Sequence, residues 1–286
     1  MLPAMVLAAG LGTRLRPLTD HRAKPLVPVG DRPALAHVLE HLRAAGISCA
    51  VVNAHHHAEQ VAAFVRALDW DVRVSEERDL LGTAGGIAHA SGLLGEGDVL
   101  VWNADILANV DVRALVAAHG RRPSEATLLV QPMEAGQGAV GVDGDGRIVR
   151  LRTERFGEEH AGGQFLGVHV LGAALRRRAP PVGGLIEDVL IPALARGETL
   201  RVHPFEGAWH DIGTVASYLA ANVSWLEARG AASWVAPGAT VAAGVTLDRA
   251  IVGAGATVSG SGAVVRIVVW AGAHATAPLD GAVVTS

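Results

Sequence analysis

Short continuous apolar runs alternate with amphipathic segments through the first two-thirds of the chain. Ala4-Met-Val-Leu-Ala-Ala9 has no polar alternation, which is the pattern of a strand buried on both faces. Leu35, Val38, Leu39 and Leu42 follow at helical spacing, with Pro33 near the start and Gly46 past the end. Ile47 to Asn53 reads as a second buried strand and Ala58 to Leu68 as a second helix. Val72 to Ser75, Val99 to Trp102 and Thr127 to Val130 add strands, and Leu185 to Leu194 and about Thr214 to Ala228 add helices. Alternation of this kind predicts an α/β fold with a Rossmann-like, mostly parallel sheet covered on both faces.

The pattern changes after about Gly230. Val235, Val241, Leu247, Val252, Val258 and Val264 recur every five or six residues among glycines and other small residues. That is the rhythm of hexapeptide repeats, each placing one aliphatic inward and turning a corner at Gly or Pro-Gly. A flexible linker holds no aliphatic period. The expected division is therefore a domain over 1–230 and a short left-handed β-helix over 231–286. Some fifty residues make only about two or three coils, whose aliphatics need a neighbouring surface, in the same chain or in a second copy. Homo-oligomerisation through the repeats is thus an open expectation.

Composition narrows the partners. The formal charge of −4 gives no global attraction to nucleic acid or to an anionic membrane, so any anion site must be built locally. Cys49 is the sole cysteine, which excludes an intramolecular disulfide. The N-terminal apolar stretch stops at Gly10 before Arg14 and Arg16, without the pattern of a signal peptide, and a cytoplasmic location is expected. His55-His56-His57 is read as a solvated helix start rather than a metal cluster, because consecutive histidines cannot all face one ion. Arg176-Arg177-Arg178 is read as an exposed helix end, Trp209 as core, and Glu187-Asp188 as carboxylates serving a helix dipole.

The chemistry concentrates after the first strand, in LAAGLGTRLRPLTDHRAKPLVPVG over 7–30. Gly10 and Gly12 let the backbone turn tightly and present amides to an anion, while Thr13, Arg14, Arg16 and Lys24 add donors and positive charge. Pro17 and Pro25 interrupt any helix of a dinucleotide fingerprint, and the G-K-[ST] ending of a phosphate loop is absent.

At these residues the chain resembles the sugar-1-phosphate nucleotidyltransferases, whose N-terminal pattern is [LA]-A-G-x-G-T-R-L-x-P-L-T followed by K-P-[LM]-[LV]-P. The resemblance continues through LGTAGGI at 81–87, WNADI at 102–106, GAVGVDGDGRI at 138–148 and WHDIGT at 209–214. It implies an enzyme that joins a nucleoside triphosphate to a sugar 1-phosphate and releases pyrophosphate. By that resemblance Arg14 holds the leaving phosphates and Lys24 the α-phosphate. Ala8, Ala9, Gly10, Gly12 and Thr13 line the nucleotide, Gly82 and Thr83 approach the base, and Asp105 and Asp211 bind Mg²⁺. Gly138, Glu154 and Arg155 fall at the sugar subsite. Arg155 stands where many members carry Lys, and Phe165-Leu166-Gly167 replaces the common N-A-G. Among members the chain is most similar to mannose-1-phosphate guanylyltransferases, and next to N-acetylmuramate-1-phosphate uridylyltransferases. The resemblance implies GTP and mannose 1-phosphate first. Uridylyl or thymidylyl transfer to another sugar 1-phosphate, or a non-catalytic regulatory subunit, are the alternatives.

Overall fold

The structure, a computed structural model, describes residues 2–285. Packing groups them into two compact units. The first runs from the N-terminal residues to Leu11 and resumes from Val38 to Trp209; the second comprises Gly12 to His37 and the chain from His210 onward.

The first unit is built on a ten-stranded sheet. Four strands, β1 (Ala4–Leu7), β2 (Cys49–Ala54), β3 (Asp71–Glu76) and β4 (Val99–Asn103), pair in parallel in the order β4-β1-β2-β3. Met5, Val6, Val51, Val52, Leu100 and Val101 are all buried, as expected for runs covered on both faces. Boundaries shift slightly from the pattern: β1 ends at Leu7, so Ala8 and Ala9 already belong to the following loop. Helices α1 (Ala34–Ala44) and α2 (Ala58–Arg66) occupy the first two connections, and Leu35, Val38, Leu39 and Leu42 form a buried row along α1. Helices α3 (Gly82–His89) and α4 (Val112–Arg121) follow β3 and β4, with Asp111 capping α4 through a bond from the Ala114 amide at 2.9 Å.

Six further strands complete the sheet: β5 (Ala126–Met133), β6 (Val140–Val142), β7 (Ile148–Leu151), β8 (Glu154–Arg155), β9 (Ala161–Leu171) and β10 (Leu200–Pro204). β10 runs parallel to β5, but β9 runs antiparallel to β4, β5 and β6, and β6, β7 and β8 form an antiparallel meander. The sheet therefore keeps the expected parallel centre, β4-β1-β2-β3, and is mixed through the antiparallel strands that extend it beyond β4. The turns joining β6, β7 and β8 are too short to carry a crossover helix, which leaves the antiparallel direction as the one available.

Two side chains depart from their sequence reading. Arg176 is not an exposed helix end: it is 4% exposed and donates to the Gly95 carbonyl, while Arg178 pairs outside with Glu198 at 2.6 Å. Trp209 is half-buried rather than core, its indole donating to Gln131 Oε1 at 2.9 Å. The segment read as a helix from Leu185 to Leu194 begins as a π-turn over Ile186–Leu190 and tightens to α over Ile191–Ala195. Pro192 has no N–H for the ladder, and widening by one residue absorbs that loss.

His169, near the C-terminal end of β9, is 1% exposed, and neither ring nitrogen has a hydrogen-bond partner among the described residues. Burial pushes its pKa down to about 3, so the folded protein holds the neutral ring. The unfolded chain takes up that proton below about pH 6.5, so stability tied to His169 is present above that pH and falls as the solution is acidified. His169→Leu is expected to raise the unfolding free energy in urea by about 1–2 kcal/mol at neutral pH, and by more at pH 5.5 than at pH 8. Parallel losses for variant and parent across that range would show that the ring is not the acid-sensitive group.

In the second unit, α5 (Val215–Glu227) opens with a capping box in which Thr214 and Ser217 bond each other's backbone and side chain. Its inner face grips the 12–37 segment. Tyr218 Oη donates to the Pro28 carbonyl at 2.6 Å, Asn222 Oδ1 accepts from the Gly30 amide at 2.9 Å, and the Trp225 indole lies against Gly30. Trp270, within the repeats, donates to Tyr218 Oη at 3.0 Å and carries the Arg22 guanidinium 4.3 Å from a ring centroid.

From Ser233 to Val284 the chain forms two four-stranded sheets of short strands. All their pairings are parallel: Ser233 lies opposite Ala250, Thr240 opposite Thr257, and Thr257 opposite His274. Ser259 and Thr276, 17 residues apart, bring their hydroxyls to 3.1 Å, a spacing close to three hexapeptides. These ladders are compatible with stacked coils. Val252, Val258 and Val264 point inward and are buried, but Val235 is 41% exposed, contrary to its expected inward position. It sits in the terminal strand of its sheet, where no earlier coil stacks.

Candidate active site

Because β1 to β4 are parallel, the loops that follow them leave the sheet at one edge, where open α/β sheets bind ligands. Ala8 and Ala9 are buried at the end of β1, and Gly10 is exposed beyond them. The Ala8 amide donates to Asn53 Oδ1 at 2.6 Å; Asn53 Nδ2 donates to Glu77 Oε1 at 2.6 Å; Glu77 Oε2 accepts from the Leu81 amide at 3.1 Å. Asn53 is 2% and Glu77 3% exposed. Neither residue stands out by motif, although a polar residue closing the apolar run of β2 at the ligand edge is a signal that could have found Asn53.

The LGTAGG segment begins α3. Gly82 adopts φ +77°, Thr83 Oγ1 accepts from the Leu185 amide at 2.7 Å, and the Ala84 amide donates to the Gly183 carbonyl at 3.0 Å. The Thr83 hydroxyl thus ties α3 to the 183–185 segment. Asp105 is half-buried in the turn after β4. That turn is clamped twice, by the Trp102 indole on the Ile106 carbonyl at 2.9 Å and by the Ala104 amide on the Leu7 carbonyl at 2.9 Å. Gly167 of the Phe-Leu-Gly departure packs against the Asn103 side chain, two residues before Asp105.

Gly138 takes φ +67° where its Cα faces the Gly163 carbonyl, a position that a side chain would block. A buried ion pair holds this turn. Arg150 bonds Glu159 at 2.7 and 2.9 Å and also donates to the carbonyls of Gln137, Gly138, Val140 and Arg152. The Arg150 guanidinium, with help from the Gly136 amide, lowers the Glu159 pKa to about 2. Glu154 and Arg155 are exposed on β8, and Arg155 Nη1 reaches to 3.5 Å from Glu159 Oε2. No motif points to Arg150 or Glu159, since nine residues separate them and only the fold makes them a pair.

In the second unit Gly12, at φ +66°, opens a tight 3₁₀ turn over Thr13–Leu15, and its carbonyl accepts from the Leu15 amide and the Thr19 hydroxyl, both at 2.9 Å. Thr13 and Arg14 are both exposed on this turn. Lys24 starts a second 3₁₀ turn, Lys24–Leu26, with its Cβ against Gly12. Asp211 joins this group: a Cβ placed on Gly213 would lie 3.0 Å from Arg14 Nη2 and 3.0 Å from Asp211 Oδ1. Gly12, Arg14, Lys24 and Asp211, far apart in sequence, are thereby gathered within one unit.

His55, His56 and His57 are half-buried at the turn before α2, and His55 Nδ1 bonds the Glu77 carbonyl at 3.0 Å. Among the described residues no group of three or more His, Cys, Asp or Glu side chains is placed to hold a metal ion, and no helix is long and apolar enough to cross a membrane.

The nucleotidyl transferase family model matches residues 3–228, which take in both the loop after β1 and the Asp211 segment. The chain belongs to the nucleotidyl transferase family. This nucleotidyltransferase is 35% identical over 240 residues to the N-acetylmuramate α-1-phosphate uridylyltransferase of Caulobacter vibrioides, covering 79% of the present chain and 97% of that protein. It is 30% identical over 235 residues to a mannose-1-phosphate guanyltransferase of Aspergillus fumigatus, covering 79% of the present chain and 64% of the fungal protein. HddC from Yersinia pseudotuberculosis, solved with GMP-PN, shares the fold with a TM-score of 0.67 at 21% identity, over 79% of this nucleotidyltransferase and 100% of HddC. The enzyme class is that of the sugar-1-phosphate nucleotidyltransferases.

Proposed function

We propose that this nucleotidyltransferase condenses GTP with mannose 1-phosphate, giving the nucleotide-sugar and pyrophosphate. The observation that carries the reaction is the gathering of Gly12, Arg14, Lys24 and Asp211 in the second unit. Both substrates are anions, so their repulsion must be neutralised before a sugar-phosphate oxygen can attack the α-phosphorus in line with the leaving pyrophosphate. In this reading Arg14 takes the leaving phosphates and Lys24 the α-phosphate, where charge spreads as the bond breaks. The acceptor phosphate is already a nucleophile, so no base or covalent intermediate is required. Ala8, Ala9 and Gly10 line the nucleotide, Gly82 and Thr83 bring backbone to the base, and Gly138, Glu154 and Arg155 receive the sugar.

Two carboxylates, Asp105 and Asp211, are the assigned ligands of Mg²⁺. Their hard oxygen donors fit that ion, which commonly takes one or two carboxylates and completes its shell with phosphate oxygens and water. Bound there, the ion would neutralise phosphate charge.

The choice of guanine rests on chain layout. The fungal guanyltransferase is matched over 64% of its length and this chain over 79% of its own, so both carry further sequence, whereas the Caulobacter uridylyltransferase is matched over 97% of its length. The left-handed sense of the C-terminal coils belongs to the same reading. A second reading, UTP with N-acetylmuramate 1-phosphate, is favoured by the 35% identity to the Caulobacter enzyme. The test crosses GTP, UTP, dTTP and ATP with mannose, glucose and N-acetylmuramate 1-phosphates and follows pyrophosphate release. GTP with mannose 1-phosphate should give the highest kcat/KM. Preference for UTP with the N-acetylated sugar establishes the second reading, and silence with every pair overturns the catalytic one.

A further inference from the structure

The buried chain Ala8–Asn53–Glu77–Leu81 lies wholly in the first unit and joins two stretches that the proposed function gives to the nucleotide: the loop after β1 and the start of LGTAGG. We propose that Asn53 and Glu77 are positioning residues that fix these two backbones relative to each other and thereby set which nucleobase is accepted. This deepens the proposed function and rests on its assignment of the Ala8–Gly10 loop and of Gly82 and Thr83, directly after Leu81, to the nucleotide.

The polarity of the chain admits one arrangement. The Ala8 amide can only donate, so Oδ1 of Asn53 must face it and Nδ2 must face Glu77. Glu77 then accepts on both oxygens, from Asn53 and from the Leu81 amide. Its own backbone is fixed as well, the amide donating to the Ala54 carbonyl at 2.8 Å and the carbonyl facing His55 Nδ1 at 3.0 Å. Both side chains are shielded from water, so a slip of either loop would leave a buried donor or acceptor unpaired, which is costlier than the same loss in solvent. α3 accommodates the pair by carrying glycine at its closest point: a Cβ on Gly86 would lie 2.6 Å from Asn53 Nδ2 and 2.7 Å from Glu77 Oε1. Base discrimination depends on donors and acceptors held at fixed positions, and a loose loop that can re-aim its backbone accepts the wrong base more readily.

The polarity can be reversed without changing atom count or net charge. Glu77→Gln alone offers one oxygen and one amino group to two donors, and Asn53→Asp alone sets two carboxylates against each other. In the double variant, the new carboxylate at position 53 accepts from the Ala8 amide and from the new carboxamide at position 77. The carboxamide oxygen then accepts from the Leu81 amide, so three bonds are remade. Each single variant should raise the KM for the preferred triphosphate and cut its kcat/KM advantage over the next-best triphosphate by about tenfold, with the sugar-phosphate KM changed less than about twofold. The double variant should restore both. Gly86→Ala, which keeps helical backbone and adds only the intruding methyl, should reproduce the loss of selectivity if the single variants do not fold. Selectivity is read in kcat/KM and in calorimetric binding of the four triphosphates, so a parent protein that binds without turnover overturns the catalytic reading and still tests this one. Folded variants that keep the parental base preference, or that weaken all four triphosphates equally, overturn the proposal.

Discussion

Asp105→Asn and Asp211→Asn should each lower pyrophosphate release at least about a hundredfold at saturating Mg²⁺, with thermal midpoints close to the parent. Asparagine keeps the shape of each side chain but removes the charge and exchanges one ligand oxygen for an NH2 donor, so the loss reads the carboxylate and not the packing. At Asp105 the turn is held independently by the Trp102 indole and the Ala104 amide. At Asp211 the neighbouring capping box of α5 supplies the local order. Chelator should abolish parental turnover and Mn²⁺ should return it. Full turnover in excess chelator would remove the metal from the proposal and leave the two carboxylates to be explained in another way.

The Lys24 ammonium is expected to act mainly in the transition state. Lys24→Ala should lower kcat by about two to three orders of magnitude while changing the sugar-phosphate KM only a few-fold, because charge on the α-phosphate oxygens is greatest as the bond to pyrophosphate breaks. Alanine retains the Cβ that packs against Gly12, so the turn opening at Gly12 should survive the change. Arg14→Ala should differ in kind, weakening triphosphate binding as well as turnover. Steady-state kinetics with each substrate varied separately checks this, and a Lys24→Ala enzyme altered only in KM would refute the assignment.

What the amino-acid pattern disclosed follows from how local each signal is. The buried row on α1 and the apolar runs of β1, β2 and β4 are local, and they stand where periodicity puts them. Strand direction is not local: nothing in Ala161 to Leu171 distinguishes an antiparallel β9 from a parallel one. Runs of charge mislead in the same way, since Arg176 and Arg177 are adjacent yet only the first turns inward to the Gly95 carbonyl. The motif around Gly12 named Arg14 and Lys24, and the resemblance paired them in function with Asp211. That Arg14 and Asp211 flank one glycine is a fact of tertiary structure alone. Asn53 with Glu77 and Arg150 with Glu159 carry no sequence signature, because a polar side chain in an otherwise ordinary segment acquires meaning only through its partner. Val235 keeps the aliphatic period and is still exposed, since a period cannot show which coil is the terminal one.

The grip of α5 on the loop segment has a consequence during protein synthesis. Gly30 is secured by Asn222, 192 residues later, and Pro28 by Tyr218, 190 residues later. At a translation rate of about 5–20 residues per second, the turns bearing Arg14 and Lys24 wait on the order of 10–40 s for the helix that holds them. Trp270, which supports Tyr218 and Arg22, arrives later still. The cationic segment is thus synthesised well before the helix and the indole that give it its native neighbours. Nascent chains stalled before α5 should therefore expose residues 12–37 to proteases while the β1–β4 core is already protected, and release of α5 and then of Trp270 should close that window in two steps.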